Sequence, residues 1–321
     1  MLLTDRVHVR HGAFTGSVPD RSDIVEVLTL SRFKDRLNRM TLFLFTVPLV
    51  ISYTIFFVYP MITGIFYSFT NWDGFRKAYQ LIGFKNFIEI LGDQRIAHSL
   101  SFTLRYTLLL VILTLALSLI FALLLNSRLK MQGFFRSMYF FPAVISLITV
   151  GLIFNQIFYQ VIPSIGKFLG ITVLSTNIMA NSSLAPYGIL FVNLWQGVSI
   201  PTVLLLAALQ SVPHELMESA AIDGATGFRR FLNVQVPFLI PVINIILILS
   251  LRNGLTLFDY VQAMTGGGPA RSTESIGILI YNYAFKEMNF SYGTTVSVVL
   301  FLIIGVISLL QMKILNRFEV K

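Results

Sequence analysis

Long uncharged runs separated by short polar segments dominate this chain. Thr41 to Trp72 carries no charged side chain, more than the roughly 20 apolar residues a membrane-crossing helix needs. Five more runs follow: Tyr106 to Ser127, Ser137 to Gln160, Leu184 to Gln210, Phe238 to Leu257 and Tyr292 to Met312. The pattern predicts an all-α integral membrane protein with six spans, the first kinked at Pro48 and Pro60. Between the first two, Asp73 to Ser99 is polar, and its stretch IGFKNFIEIL predicts a short interfacial helix burying Phe84, Phe87 and Ile88. Val161 to Ser183 reads as a connection with a short helix at Ile165 to Leu169, and Phe258 to Ser291 as a second connection on the same side.

Charge sets the orientation. The connection after the second run contains Arg128, Lys130 and Arg136 and no acid, which places it in the cytoplasm by the positive-inside rule. Residues 1–40 hold seven basic and five acidic residues without an apolar run, and the end of the chain, KILNRFEVK, is basic. Six spans with both termini cytoplasmic is the consistent topology. Residues 1–40 form a cytoplasmic tail, in which Ile24 to Met40 is either an amphipathic surface helix or partly ordered. A signal peptide is not expected, because an apolar segment near the start is missing.

Composition narrows the class. With 55% hydrophobic and 12% charged residues and a mean hydropathy of +0.76, the chain is too apolar for an ordinary soluble domain. Its net charge of +9 is spread in short clusters, which suits membrane orientation and not nucleic acid. The lack of cysteine excludes disulfides and thiolate metal sites. The four histidines (His8, His11, His98 and His214) are scattered, and neither a Walker A sequence nor a Ser/His/Asp constellation is present. The spans also lack the carboxylate or histidine ladder that a proton-driven carrier often uses. The chain reads as a non-catalytic membrane protein that binds no cofactor or metal itself.

The most informative segment is the polar loop from Ser211 to Pro237, SVPHELMESAAIDGATGFRRFLNVQVP. Pro213 suits a first helical turn, and Glu215 and Glu218 put negative charge near that helix's positive end. Asp223-Gly224 ends the helix, since glycine readily takes the left-handed conformation. A second short helix is expected from Thr226 to Val236, with Pro237 opening the next span. Glu218-Ser219-Ala220, Gly224, and then Val234-Gln235-Val236-Pro237 resemble the EAA loop of ABC importer permeases. Ser219, Val234 and Val236 replace that motif's alanine, isoleucine and leucine. The run Ile222-Asp223-Gly224-Ala225 matches the form found in sugar permeases.

Phe258-Asp259 through Thr265-Gly266-Gly267-Gly268-Pro269 resembles a second stretch of the same carbohydrate permeases, where it faces an extracytoplasmic binding protein. Docking or gating and a plain flexible turn both remain open for Asp259 and the Thr265–Pro269 loop. Intramembrane polar residues add a third feature. Asn193, Trp195, Gln196 and Gly197 lie in the fourth run, and Ser250, Arg252 and Asn253 in the fifth. At 1.5 Å per residue, Asn193 lies about 27 Å from Ser211 and Asn253 about 24 Å from Pro237, at matching depth. Amides, a hydroxyl and an aromatic ring suit a sugar, and by the resemblance these two helices supply translocation-path contacts. Hydrogen bonding between helices, with Gly197 as a packing residue, is the alternative. Arg252 either reaches the outer interface or pairs with Asp259.

From about Thr41 onward the chain is similar to permeases of the binding-protein-dependent ABC sugar importers, the MalF/UgpA-like group. The resemblance implies the type I importer fold in a bacterial or archaeal cell membrane. It also implies a second homologous permease, an extracytoplasmic sugar-binding protein, and two ATPase subunits carrying ATP and magnesium. Glu215, Glu218, Ser219, Ala220, Asp223, Gly224 and Ala225 would contact an ATPase. An oligosaccharide fits best as substrate. A glycerol phosphate or phosphodiester importer and a stand-alone secondary carrier are the rival readings.

Overall fold

A computed structural model describes residues 40–41, 43–127 and 132–315. The expected helix at 24–40 up to residue 39, the basic residues Arg128 and Lys130, and the last six residues lie outside that set. The chain divides into two compact units, residues 1–62 and 63–321. Helix α1 (Phe43–Tyr67) begins in the first unit, where its turn at Thr54–Val58 is π-helical. Pro60 lacks the N–H that would reach the carbonyl four residues back, and the wider turn just ahead of it absorbs that defect. The first apolar run therefore becomes a helix that stops short of Trp72, which sits in a loop.

Among the described residues of the second unit the regular elements are all helices, apart from one isolated bridge between Thr70 and Leu81. After α2 (Lys85–Gly92), α3 (Gln94–Asn126) runs 33 residues, about 50 Å at 1.5 Å each. Asp93 caps it by accepting hydrogen bonds from the Arg95 and Ile96 N–H groups at 2.8 and 3.3 Å. In α2 the buried residues are Asn86 and Ile90. The expectation for Phe84 and Ile88 is overturned, since both are exposed and Phe87 is half-buried. Asn86 turns inward instead, because its amide donates to the Ser68 and Thr70 carbonyls at 3.0 and 2.9 Å.

One face of α3 carries small or polar residues four or seven apart: Ser99, Thr103, Thr107, Thr114, Ser118 and Ala122, all buried. Small residues let membrane helices approach closely, and the Thr103 and Thr107 hydroxyls donate to carbonyls one turn back at 2.7 and 2.6 Å. Against this face lie α7 (Ser199–Gln210) and α9 (Gly227–Leu255). A Cβ on Gly254 would stand 2.6 Å from Thr107 Oγ1, so that crossing requires glycine.

The third apolar run is not one straight span. It forms α4 (Gln132–Val144), which contains Pro142, a break at Ile145–Ser146, and then α5 (Leu147–Leu169). The helix of membrane length is thus shifted nine residues or more toward the C-terminus of the expected run. The short helix foreseen at Ile165–Leu169 is its final segment, stopped by Gly170 in the left-handed region (φ 68°). Helices α6 (Ala185–Gly197) and α7 are bent by 42° across Val198. After α8 (His214–Ile222) and α9, short helices α10 (Asp259–Met264) and α11 (Ile276–Tyr281, continuing as a π turn Asn282–Lys286) lead to α12 (Phe290–Leu315). Among the described residues five helices are long and apolar enough to cross a membrane, six when the bent α6–α7 pair is counted as one span.

Candidate functional site

The polar loop folds as a short helix with a defined stop. Pro213, extended at φ −60° and ψ 133°, leads into α8, whose first turn holds Glu215. At the other end the Gly224 N–H reaches the Ala221 carbonyl at 3.1 Å and the Ala225 N–H reaches the Ala220 carbonyl at 2.9 Å, with Gly224 at φ 74°. This is the Schellman arrangement, which satisfies carbonyls the helix leaves free and requires a left-handed residue. No residue of α8 is buried. Glu215, Glu218, Ser219, Asp223 and Gly224 are exposed, and Ala220 and Ala225 half-buried. Beside them Ile222 is 86% and Phe228 71% exposed, a costly display for a loop that contacts nothing. The second helix is not separate, as expected, but forms the first turns of α9: Gly227–Arg230 and a π turn at Phe231–Gln235 run directly into Val236–Leu255. Pro237, lacking an N–H, is tolerated there because the π turn re-routes the bonding.

Within the bundle, the polar residues of the fourth and fifth runs meet. Asn253 Nδ2 donates to Asn193 Oδ1 at 3.2 Å, and Asn193 Nδ2 donates to the Tyr106 hydroxyl at 3.1 Å. Gly197 lies against this pair; a Cβ there would be 3.4 Å from Asn193 Oδ1. Gln196 spans a different gap, donating to the Ile145 carbonyl at 2.6 Å and accepting from the Tyr260 hydroxyl at 2.8 Å. That carbonyl sits at the break between α4 and α5, and a freed backbone group at membrane depth needs such a partner. Asn193 and Gln196 are buried and act as fasteners between helices. Asn253 is exposed and Trp195 partly so, its ring 5.1 Å from that of Phe154. Ser250 is buried.

Asn253 also lines a cavity of about 210 Å³ together with Arg252, Thr256, Asp259 and Tyr260. Arg252 and Asp259 share this cavity without an ion pair between them, ion pairs among the described residues being formed elsewhere. Burial holds the Tyr260 hydroxyl in its protonated form well above the usual tyrosine range. Tyr106, Thr256 and Tyr260 were not singled out from the sequence, where single polar residues beside apolar runs carry no signal of which way they face.

Asp259 opens α10, which packs on α5 so tightly that a Cβ on Gly151 would come 2.7 Å from that of Ala263. The glycine run closes on itself. Thr265 and Gly266 N–H groups both reach the Val261 carbonyl at 3.0 and 2.7 Å, and Thr273 Oγ1 donates to the Gly268 carbonyl at 2.6 Å. Gly266 and Gly267 take φ of 59° and 96°, and Gly267 is buried with Pro269 half-buried. Directly after it, Glu274 accepts two hydrogen bonds from Arg95, Nη2 to Oε1 at 2.7 Å and Nε to Oε2 at 3.0 Å. Arg95 also donates to Glu287 at 2.6 Å, and Asp93 accepts from the Tyr283 and Tyr292 hydroxyls at 2.7 and 3.0 Å. Burial alone would raise the Glu274 carboxyl, but the Arg95 guanidinium outweighs it and holds it below the usual value. Asp93 is likewise held low, its desolvation outweighed by the two tyrosine hydroxyls and backbone N–H groups. Among the described residues no cluster of three or more histidine, aspartate or glutamate side chains could hold a metal ion.

The polar loop is thus an exposed, glycine-stopped helix between two spans, and the polar seam lies farther along those spans. A family model for the inner membrane component of binding-protein-dependent transport systems matches residues 114–319. The chain belongs to that family. It is 43% identical over 274 residues to the multiple sugar-binding transport system permease protein MsmF of Streptococcus mutans, covering 85% of this chain and 94% of that protein. It is 31% identical over 284 residues to the probable starch degradation products transport system permease protein AmyD of Thermoanaerobacterium thermosulfurigenes, covering 88% and 97%. The fold matches a bacterial alginate ABC transporter chain, solved in complex with an alginate pentasaccharide-bound periplasmic protein, at a TM-score of 0.75 and 20% identity over 89% of this chain. This transport component is therefore an all-α, multi-pass membrane protein of the importer permease kind.

Proposed function

We propose that this family member is one of two permease subunits of an ATP-driven importer for carbohydrate, with an oligosaccharide as cargo. The observation that carries the reading is α8: a helix with no buried residue, ended by Gly224 and displaying Ile222 between two span-length elements. Such a helix needs a partner surface. The partner is a cytoplasmic ATPase subunit, with Ile222 and Leu216 entering an apolar cleft and Glu218 making a charge contact at its edge. Closure of two ATPases on ATP draws the two permease loops together and reverses which side the central cavity faces. An external binding protein delivers the sugar, and Asp259 with the Thr265–Pro269 loop serves on that side. The chain lies in a bacterial or archaeal cell membrane with both termini cytoplasmic.

The pathway is supported by the 210 Å³ cavity at Asn253. Asn253, Thr256 and Tyr260 offer donors and acceptors there and Phe258 an apolar ring face, which together suit sugar hydroxyls and a sugar ring, while Trp195 lies outside that cavity, against Phe154. Asn193, Gln196, Gly197 and Ser250 set the helix geometry that holds those groups. Arg252 alone would favour a glycerol phosphate or phosphodiester, but Asp259 in the same cavity opposes a net anion, so a neutral sugar is the better fit. The test is ATP hydrolysis by the lipid-reconstituted complex with and without its binding protein and a panel of oligosaccharides. Stimulation by binding protein plus one sugar is expected. Solute movement by this chain alone, with no ATPase co-purifying, would replace the proposal with a secondary carrier.

A further inference from the structure

A second cavity lies away from the Asn253 cavity, on the other side of Tyr106. A cavity of about 330 Å³ is walled by His98, Phe102, Arg105 and Tyr106 of α3, by Tyr187 and Leu190 of α6, and by Ser272 of the loop after the glycines. His98, Phe102 and Arg105 follow one another at helical spacing and therefore share a face of α3. Arg105 is exposed, its Nε donates to the Ser101 carbonyl at 3.2 Å, and it forms no ion pair among the described residues. No acidic residue lines the cavity. The Ser272 hydroxyl is buried and makes no hydrogen bond. A cation without a counter-charge and an unused hydroxyl at one cavity wall call for an anion.

Depth and surroundings identify its carrier. Arg105 lies 22 residues from Ser127, about 33 Å along the helix at 1.5 Å per residue, against a hydrocarbon thickness of roughly 30 Å. If the α3–α4 connection marks one membrane surface, Arg105 stands at the headgroup level of the opposite leaflet. Toward the membrane centre, Leu108, Leu109 and Ile112 continue the exposed surface without a polar group. A headgroup at Arg105 would leave its acyl chain lying on those three side chains. We infer that this cavity binds the phosphodiester of an anionic phospholipid, with Arg105 as its charge partner, Ser272 and His98 as hydrogen-bond donors, and Tyr187 covering the glycerol.

The experiment is native mass spectrometry of the full-length chain, titrated in detergent with phosphatidylglycerol, phosphatidylcholine or sn-glycerol 3-phosphate. Phosphatidylglycerol should bind in preference to phosphatidylcholine. Arg105→Gln should weaken it roughly fivefold or more, from the attraction of one basic residue for an anionic lipid. Arg105→Lys should restore most of the binding, and Arg76→Gln, outside the cavity, should leave it unchanged. Circular dichroism confirms that each variant is folded. A photoreactive phosphatidylglycerol should crosslink within residues 98–112 or 183–190 of the unaltered chain, which tests the site even if Arg105→Gln fails to insert. Equal binding of the two lipids, indifference to Arg105→Gln, or crosslinks confined elsewhere would overturn the proposal. Binding of glycerol phosphate as tight as that of the lipid would assign the cavity to a soluble phosphate and overturn the lipid assignment.

Discussion

Arg95 is the residue whose loss should cost the fold most for its size, and the cost should be unequal around its cluster. Glu274 has a side chain only 3% exposed, Arg95 18%, and Glu287 44%. Arg95→Met removes both guanidinium bonds to Glu274 and leaves that carboxylate buried with the Asn282 amide at 3.1 Å as its remaining partner. Removing one partner of a buried pair costs about 3–5 kcal/mol, because the other charge is stranded. Glu274→Gln keeps the volume and leaves Arg95 bonded to Glu287, so about 1–3 kcal/mol is expected for a lost charge-assisted bond. Glu287→Gln breaks a pair with a solvated member and should cost at most ~1 kcal/mol. The double variant Arg95→Met/Glu274→Gln strands no charge and should recover most of the single Arg95 loss, a favourable coupling above about 1 kcal/mol. Unfolding of the purified chain in mixed micelles, followed by circular dichroism against denaturing detergent, measures all four. Equal losses for Arg95→Met and Glu287→Gln, or strict additivity in the double variant, would refute the buried-pair reasoning.

Acid should loosen the same cluster. Glu274 and Asp93 are held below their ordinary values of 4.5 and 3.8, so their contribution is complete above about pH 5 and is lost as pH falls through the lower folded values; the unfolding midpoint should drop below about pH 4 in wild type and less in Glu274→Gln. Gly224→Ala must adopt a left-handed turn at a cost of about 1 kcal/mol and should lower coupling, while Gly224→Pro, which cannot reach φ 74°, should leave the chain inserted but separate ATP hydrolysis from uptake; normal uptake by that variant would count against the coupling role. Gly254→Ala places a methyl within 2.9 Å of the Thr107 backbone and should destabilise the α3–α9 crossing by about 1–3 kcal/mol, read as a lower thermal midpoint in detergent. Asn193→Leu leaves the Tyr106 and Asn253 groups unpaired and should cost about 1–3 kcal/mol of stability, whereas Asn253→Ala should mainly raise the sugar concentration for half-maximal uptake.

The spans, the polar loop and its glycine stop were legible in the sequence because each rests on local physics. An uncharged run long enough to cross a bilayer has few alternatives, and a left-handed stop after Ala220-Ala221-Ile222 calls for a residue like Gly224. Depth along a helix is equally local, which is why counting from Ser211 and Pro237 brought Asn193 and Asn253 to one level. What the sequence could not decide was facing and pairing. Ser137 to Gln160 carries no charge to interrupt it, so the break at Ile145–Ser146 is set by Pro142 together with a Gln196 side chain arriving from another helix. The interfacial helix turned Asn86 inward and Phe84 outward because the Ser68 and Thr70 carbonyls, distant in sequence, needed a donor. Arg95 and Glu274 lie 179 positions apart, and nothing local marks them as partners. Tertiary packing alone decided which polar residues became fasteners and which stayed at a cavity wall, since burial of a polar group costs least where a specific partner waits.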